Sequence, residues 1–165
     1  MMSEEWLAAR APGFSELPAA DRSAIMDFVL LWSLFEAKVM DNFARPEAMR
    51  GKVEQWTREG GLQAEAHEPA IRYFQARYFG EHGFTRAFDQ LNLRNSDFPE
   101  LVRSVLSGEV AEPRNRVLAL LIIIWRLRNN LFHGMKWAYE LRDQRENFRH
   151  ANATLMRVLE RYVPA

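Results

Sequence analysis

Cysteine is absent from this chain of 165 residues. Its absence excludes disulfide bonds, a thiolate nucleophile and a zinc site built on cysteine. The N-terminal stretch MMSEEWLAAR also lacks the basic segment and the apolar segment of a secretory signal peptide. We therefore expect a cytoplasmic protein, in which the sequon at Asn152 has no role in glycosylation.

Long apolar runs are scarce as well. The most extended one is the nine residues from Val117 to Trp125, whereas a membrane-spanning helix needs about 18 or more. The sequence has no glycine-rich phosphate loop and no HExxH motif, and its four histidines lack metal-ligand spacing. We expect no membrane segment, no metal and no cofactor.

Neither sign of charge is in excess, because 22 Lys and Arg balance 22 Asp and Glu. A neutral chain lacks the bulk attraction that draws basic proteins to nucleic acids. The charge is uneven, however: residues 126–161 hold eight Lys and Arg against four Asp and Glu, a net charge of +4, which leaves −4 for the remainder. The positive part is either a substrate-binding face or an ordinary arginine-rich helix surface.

Apolar residues make up 48% of the chain, with five Trp and eleven Phe, which excludes general disorder. We expect a single domain over residues 1–165, with residues 1–16 as a loosely packed arm held by Trp6 and Phe14. Helical periodicity between Pro and Gly residues predicts an all-α fold, a helical bundle with additional short helices and no sheet of three or more strands. The predicted helices cover residues 18–44, 46–59, 69–80, 84–91, 97–106, 113–133 and 137–163, with Asp97 as the N-cap of the fifth.

The nine-residue apolar run leads directly into a polar cluster, in the sequence RLRNNLFHG. Pro113 and Gly134 mark the ends of a helix, so the cluster occupies its last turns. Arginine offers a planar fork of donors that matches phosphate oxygens, and an imidazole can take or give a proton. Asn129 and His133 share a helical face. Arg128 lies about 140° from His133, a gap that the long side chain or unwinding of the helix end would have to close.

The spacing of this arginine and histidine is not specific by itself. It occurs at three places: Arg77/His82, Arg128/His133 and Arg145/His150. A glycine interrupts the first, and the third lies in the charged stretch QRENFRH, which we interpret as a solvated helix face. Only the second ends a buried helix. Its alternative interpretation is a helix C-terminus whose cations complement the dipole and whose histidine caps a carbonyl.

The string RNNLFHG resembles the signature of HEPN domains, in which an arginine, usually followed by a polar residue, precedes a histidine by a few residues. With Lys136 two positions after Gly134, it is most similar to the Apea-like branch of that superfamily. That branch usually has a second glycine where this chain has Met135. The difference concerns the shape of the loop and leaves Arg128 and His133 in place.

The resemblance implies an α-helical, dimer-forming domain that is often a metal-independent endoribonuclease of toxin–antitoxin or antiphage systems. RNA would be the substrate. A nucleotidyltransferase antitoxin could be a partner that modifies a hydroxyl such as that of Tyr139, and the alternative interpretation of Tyr139 is a packing residue. The alternative is a non-catalytic interaction or nucleotide-binding module, because the fold alone does not prove an activity. The catalytic residues would be Arg128, His133 and Asn129, supported by Glu36, Asn130 and Lys136.

Glu36 lies near the centre of an apolar stripe on the first long helix, where a carboxylate is costly unless it is paired. It either faces the polar cluster and holds a cation there, or forms a structural ion pair with another buried arginine. Leu30, Leu31 and Leu34 lie on the other faces of this helix. The helix is therefore either deeply central or part of a subunit interface.

Overall fold

The computed structural model describes residues 2–133 and 141–165, and within them the chain is almost entirely helical. The predicted all-α fold is confirmed. The helices are α1 (Ser3–Arg10), α2 (Ala19–Lys38), α3 (Pro46–Arg58), α4 (Glu68–Tyr78), α5 (Arg86–Asp89), α6 (Pro99–Leu106), α7 (Pro113–Phe132) and α8 (Arg145–Leu159). Three short 3-10 turns lie at Phe14–Glu16, Ala64–His67 and Asn95–Asp97.

Helix α7 lies at the centre of the core. Every residue from Val117 to Ile124 is at most 4% exposed, so this part of the helix is buried on all sides. Helices α3 and α6 pack along it, and α4 contacts it as well. Pro113 occupies its first turn and His133 is its C-cap, which confirms the helix predicted from the apolar run.

Helices α2 and α8 form the second layer of the bundle. The rings of Phe28 and Phe148 lie 5.0 Å apart between them. Helix α4 packs on the other side of α8, where Tyr73 stacks on His150 at 4.3 Å. The interpretation of QRENFRH as a solvated face is therefore wrong for His150, which is half-buried, although Arg145 is exposed.

Two helix boundaries differ from the prediction because of left-handed residues. Helix α2 ends at Lys38 and not near residue 44, since Asp41 and Asn42 have φ of 51° and 62°, a conformation that a right-handed helix does not contain. The last helix begins at Arg145 and not at 137. Residues 141–143 form a turn that includes Asp143 at φ 60°, and residues 134–140 lie outside the described ranges.

Asp97 is not the N-cap of α6, which corrects the prediction. It belongs to the turn Asn95–Asp97, and Phe98, at φ 49°, precedes the helix. The Asp97 carboxylate instead accepts a hydrogen bond from the Arg94 backbone N–H at 2.9 Å and pairs with Arg126 of α7. Burial of the Arg126 cation would be costly without a compensating carboxylate, and Asp97 provides one.

The prediction that the chain has no sheet of three or more strands is confirmed for the described residues, which contain one two-stranded sheet. Between α4 and α5, β1 (Phe79–Gly80) and β2 (Gly83–Phe84) form an antiparallel hairpin, with Phe79 opposite Phe84. Two-residue strands are too short to show an alternating pattern in the sequence. Within the described ranges, no helix combines the length and the apolar character needed to cross a lipid bilayer.

The N-terminal arm contains helix α1, which the sequence did not predict. Neither α1 nor the following turn has a buried residue. Trp6, expected to hold the arm, is half exposed. Its ring centroid lies 5.3 Å from the guanidinium carbon of Arg10, which belongs to the same helix. Phe14, the other residue expected to hold the arm, contacts Arg22 of α2, whose guanidinium carbon lies 5.4 Å from the Phe14 ring centroid. Arg22 also pairs with Glu4 of α1 at 3.2 Å.

Candidate functional site

The polar cluster at the end of α7 is held in place by two side chains that contact the segment after α5. Arg126 Nε donates to the carbonyl of Leu91 at 3.0 Å. Asn130 Nδ2 donates to the carbonyls of Gln90 and Leu91 at 3.1 and 3.2 Å, and its Oδ1 accepts from Arg126 at 3.3 Å. Asn130, predicted as a supporting residue, thus serves to position the helix that carries the site.

Arg126 was missed by sequence reasoning. Its Nη1 lies 3.4 Å from Asp97 Oδ2, and the two side chains are only 4% and 3% exposed. Burial lowers the pKa of Arg126, and Asp97 opposes that shift. The signal was present in the sequence, because an arginine directly after a buried apolar run is buried with it and requires a carboxylate partner.

Arg128 is half-buried on the last turns of α7. Its Nη1 donates to Asn129 Oδ1 at 3.0 Å, and its guanidinium lies 5.1 Å from the Phe132 ring centroid and 5.7 Å from that of Trp125. Its Nε is buried and has no hydrogen-bond partner among the described residues. The rings and the amide orient the guanidinium.

His133 is the residue immediately after α7, and its side chain is exposed. Its backbone N–H donates to the carbonyl of Asn129 at 2.9 Å, so the helical arrangement extends to this position. The side chain of Asn129 is buried and accepts from Arg128. In the described part of the chain no side chain hydrogen-bonds the His133 imidazole. The structure therefore joins Arg128 to Asn129, with His133 on the solvent side of the same helix end.

Glu36 forms no ion pair with any described residue. Its Oε2 accepts a hydrogen bond from Trp32 Nε1 at 3.1 Å, one turn back on α2. The Trp32 ring lies 6.0 Å from that of Trp125, and Trp125 contacts Arg128. Two indole rings thus connect Glu36 with Arg128, an arrangement that matches neither of the two interpretations drawn from the sequence.

Several residues that the sequence analysis singled out lie outside the described ranges. Lys136 is among them, as are Gly134, Met135 and Tyr139. The predicted left-handed cap at Gly134 and the support expected from Lys136 therefore stay predictions.

The basic surface on α8 is partly neutralised by neighbouring carboxylates. Arg149 pairs with Glu146 at 3.1 Å, and Arg157 pairs with Glu160 at 3.3 Å. Both carboxylates are already counted in the net charge of +4 for residues 126–161, so these pairs do not lower it.

The helix end can bind an anion and exchange a proton. A guanidinium in contact with two rings presents directed donors to a phosphate or carboxylate, and an exposed imidazole at the same helix end can act as acid or base. No group of three or more His, Asp or Glu residues in the described ranges is placed to hold a metal ion. No family model, curated protein or solved structure matches the chain.

Proposed function

We propose that this protein is an endoribonuclease of the HEPN type that cleaves RNA without a metal, with His133 and Arg128 as its catalytic residues. The observation that carries the proposal is the placement of Arg128. A buried, doubly anchored helix carries this guanidinium, oriented by Asn129 and Phe132, on its last turns, and an exposed histidine follows as the C-cap of the same helix. Such preorganised donors are what a phosphoryl transition state requires.

The reaction needs only groups that the chain and the RNA supply. His133 removes the proton from a ribose 2′-hydroxyl, and the 2′-oxygen attacks the adjacent phosphorus. The bond from phosphorus to the 5′-oxygen breaks, and the leaving oxygen takes up the proton that His133 removed. Arg128 donates to the phosphoryl oxygens as negative charge accumulates on them. The products are a 2′,3′-cyclic phosphate and a 5′-hydroxyl.

Single-stranded or looped RNA suits this reaction best. The attacking oxygen, the phosphorus and the leaving oxygen must come into line, and an unpaired backbone can adopt that geometry. In this proposal Asn129 orients Arg128, Asn130 positions the end of α7, and Lys136 and Glu36 support the site. The protein acts in the cytoplasm as a toxin or antiphage component, with an antitoxin or a nucleotidyltransferase as partner.

A second candidate function is a non-catalytic interaction module, and one surface favours it. Three apolar side chains of α2 are solvent-exposed: Met26, Leu30 and Leu34, at 66%, 69% and 37%. They are spaced four residues apart and form one stripe. This stripe supports the alternative in which the helix is part of a subunit interface. A twofold homodimer through this stripe is compatible with both candidate functions.

The test is cleavage of a panel of single-stranded and structured RNAs by the pure protein, with EDTA present. We expect cyclic-phosphate products from the parent and none from His133→Ala, because each of the other histidines is remote from this helix end in sequence. Arg145→Ala is the matched control, since Arg145 is exposed on α8 and should be dispensable.

Two results would contradict the proposal. One is cleavage by His133→Ala at the parental rate, and the other is a parent that cuts none of the RNAs. Either result would favour the interaction module.

A further inference from the structure

Every exposed phenylalanine or tryptophan in the described ranges lies against an arginine. In each of these pairs the guanidinium carbon is 4.1 to 5.3 Å from the ring centroid, and the pairs are Trp6/Arg10, Phe43/Arg45, Phe84/Arg103 and Phe132/Arg128. The negative face of an aromatic ring attracts the cation. An exposed ring with an arginine beside it combines the two groups that bind single-stranded nucleic acids, a surface for stacking and a partner for phosphate.

The Phe84/Arg103 pair is firmly supported by its neighbours. Phe84 lies opposite Phe79 in the hairpin of β1 and β2, and its ring centroid is 4.4 Å from that of the buried Phe88. The backbone N–H of Thr85 donates to the carbonyl of the last residue of α4 at 2.9 Å, which fixes the end of the hairpin. The guanidinium carbon of Arg103 also lies 4.9 Å from the Phe88 ring centroid. The exposed ring and its cation are therefore held in place before any ligand binds.

This pair lies next to the segment that anchors α7. Phe88 and Leu91 belong to one turn, in which the Leu91 N–H donates to the Phe88 carbonyl at 3.0 Å. The Leu91 carbonyl accepts in turn from Arg126 Nε of α7. A short series of contacts thus connects the exposed ring with the last turns of α7, which carry the candidate catalytic residues.

The Phe43/Arg45 pair lies next to the same part of α7. Arg45 is the N-cap of α3. The guanidinium carbon of Arg50, in the second turn of that helix, lies 5.0 Å from the Phe98 ring centroid. The residue before Phe98 pairs with Arg126. The start of α3 is therefore beside the C-terminal half of α7, and both pairs belong to the end of the bundle that carries the candidate site.

The arginines of the two pairs are available to an anion. Both side chains are exposed, and neither Arg45 nor Arg103 forms an ion pair with a carboxylate of the described ranges. A guanidinium in this state can donate to a phosphate in bidentate geometry. An acidic peptide would pair with the arginines and leave the rings uncovered, and the bases of a duplex are already stacked on one another. An unpaired nucleotide covers the ring with its base and the guanidinium with its phosphate.

We propose that Phe43/Arg45 and Phe84/Arg103, which we name the flanking pairs, bind unpaired nucleotides of single-stranded RNA outside the cleavage site. A base stacks on each ring, and the arginine beside the ring donates to a phosphate. Stacking accepts every base, so the flanking pairs select unpaired RNA without selecting a sequence. The inference rests on the proposed function, because it assigns additional contacts to the RNA substrate of that site.

The experiment is a fluorescence anisotropy titration of a labelled single-stranded RNA of about 12 nucleotides, a length within the usual range of such binding sites. Its riboses carry 2′-O-methyl groups, which block attack by the 2′-oxygen, so binding to the parent protein is measured without cleavage. An unlabelled duplex of the same sequence and polyglutamate serve as competitors. We expect the single strand to bind and both competitors to displace it poorly.

Substitution of each ring tests the stacking. Phe84→Leu keeps an apolar side chain against Phe88 and removes the aromatic face. It should raise the Kd at least about fivefold, the effect of losing one stacked base. Phe84→Trp should keep the parental affinity, because it restores a stacking surface. Phe43→Leu and Phe43→Trp should behave in the same way.

Arg161 provides the matched control for Arg103. It is exposed, and its guanidinium carbon lies 5.7 Å from the Trp56 ring centroid. Trp56 belongs to the last turn of α3, at the opposite end of that helix from Arg45. Arg103→Met should raise the Kd, whereas Arg161→Met should leave it unchanged. Equal effects of the two substitutions would indicate general attraction to positive charge and overturn the proposal.

The proposal is also overturned if the single strand does not bind, if either competitor displaces it as well as unlabelled single strand does, or if both leucine variants retain the parental affinity. Circular dichroism checks the fold of each variant, and if Phe84→Leu does not fold, the comparison of Arg103→Met with Arg161→Met decides. Cleavage of ordinary RNA by the parent, with unchanged affinity in the ring variants, would refute this inference and leave the proposed function intact. Ring-dependent binding without any cleavage would support this inference and refute the nuclease.

Discussion

Asp97 and Arg126 form a buried ion pair that joins the segment before α6 to the centre of the molecule, with 3.4 Å between Oδ2 and Nη1. Removal of one partner leaves a buried charge uncompensated, which costs about 3–5 kcal/mol. We predict that Asp97→Ala lowers the free energy of unfolding by that amount in urea denaturation. Asp89→Ala, an exposed carboxylate on α5, should change it little.

A double variant that replaces both partners tests whether the pair stabilises the fold through its charges or through the volume of its side chains. Asp97→Leu combined with Arg126→Met should recover most of the stability lost in Asp97→Ala, since an apolar pair of similar volume is often as stable as a buried ion pair. If Asp97→Ala alone were as stable as the parent, the pair would make no net contribution to the free energy of unfolding.

Arg128→Ala should lower the rate of RNA cleavage by about 10²–10³, the usual cost of removing one transition-state donor. Arg128→Lys should recover little, because an ammonium cannot reproduce the planar fork that lies between Phe132 and Trp125. Single-turnover rates measure this effect. Arg114→Ala is the control, because Arg114 is exposed at the opposite end of α7. An equal loss of cleavage rate in this control would show that the rate depends on the total positive charge of the protein and not on Arg128.

Leu30→Glu should dissociate the proposed dimer. Leu30 is 69% exposed at the middle of the α2 stripe, where a charge would be desolvated and unpaired on association. Light scattering at micromolar concentration should change from the mass of a dimer to that of a monomer. Met156→Glu, which alters another exposed apolar residue on α8, should leave the dimer intact; a monomeric parent would contradict the prediction.

His67 should make the stability depend on pH. Burial lowers the pKa of His67 from 6.5 to about 4, with Arg161 and Arg157 contributing. Between pH 6.5 and about pH 4, His67 is protonated in the unfolded chain and neutral in the folded chain. The free energy of unfolding therefore falls as the pH decreases towards 4. Between about pH 7.5 and about pH 5 this effect amounts to about 2 kcal/mol.

Chemical denaturation at the two pH values should reveal a larger loss in the parent than in His67→Gln, which retains the contribution of His150, whose pKa is also lowered by burial. His82→Gln, at an exposed position, should behave like the parent. Identical pH dependence of the parent and His67→Gln would show that His67 is not the group responsible.

Features encoded by neighbouring residues were predictable from the sequence. The apolar run and Pro113 specify α7, and Pro46 specifies the start of α3. Left-handed residues such as Asp41 and Asn42 shortened α2, because single residues with positive φ leave only a weak trace in composition.

Features that depend on two distant segments were not predictable from periodicity. Asp97 has the local pattern of a helix cap, and only the position of Arg126 in the folded chain explains its role. His150 has charged neighbours in the sequence, yet it stacks on Tyr73 from another helix. The motif at Arg128 and His133 could be located, whereas its orientation by Phe132 and Trp125 required the structure.

The two polar anchors of α7 determine its rotational register. A helix that is apolar on every face has no hydrophobic preference for one rotation about its axis, because a shift by one residue, about 100°, exchanges one aliphatic side chain for another. Arg126 and Asn130 lie one turn apart and both donate to the carbonyl of Leu91, and Asn130 also donates to that of Gln90, which permits one rotation only. The direction in which Arg128 and His133 face is therefore set by residues that take no part in the chemistry.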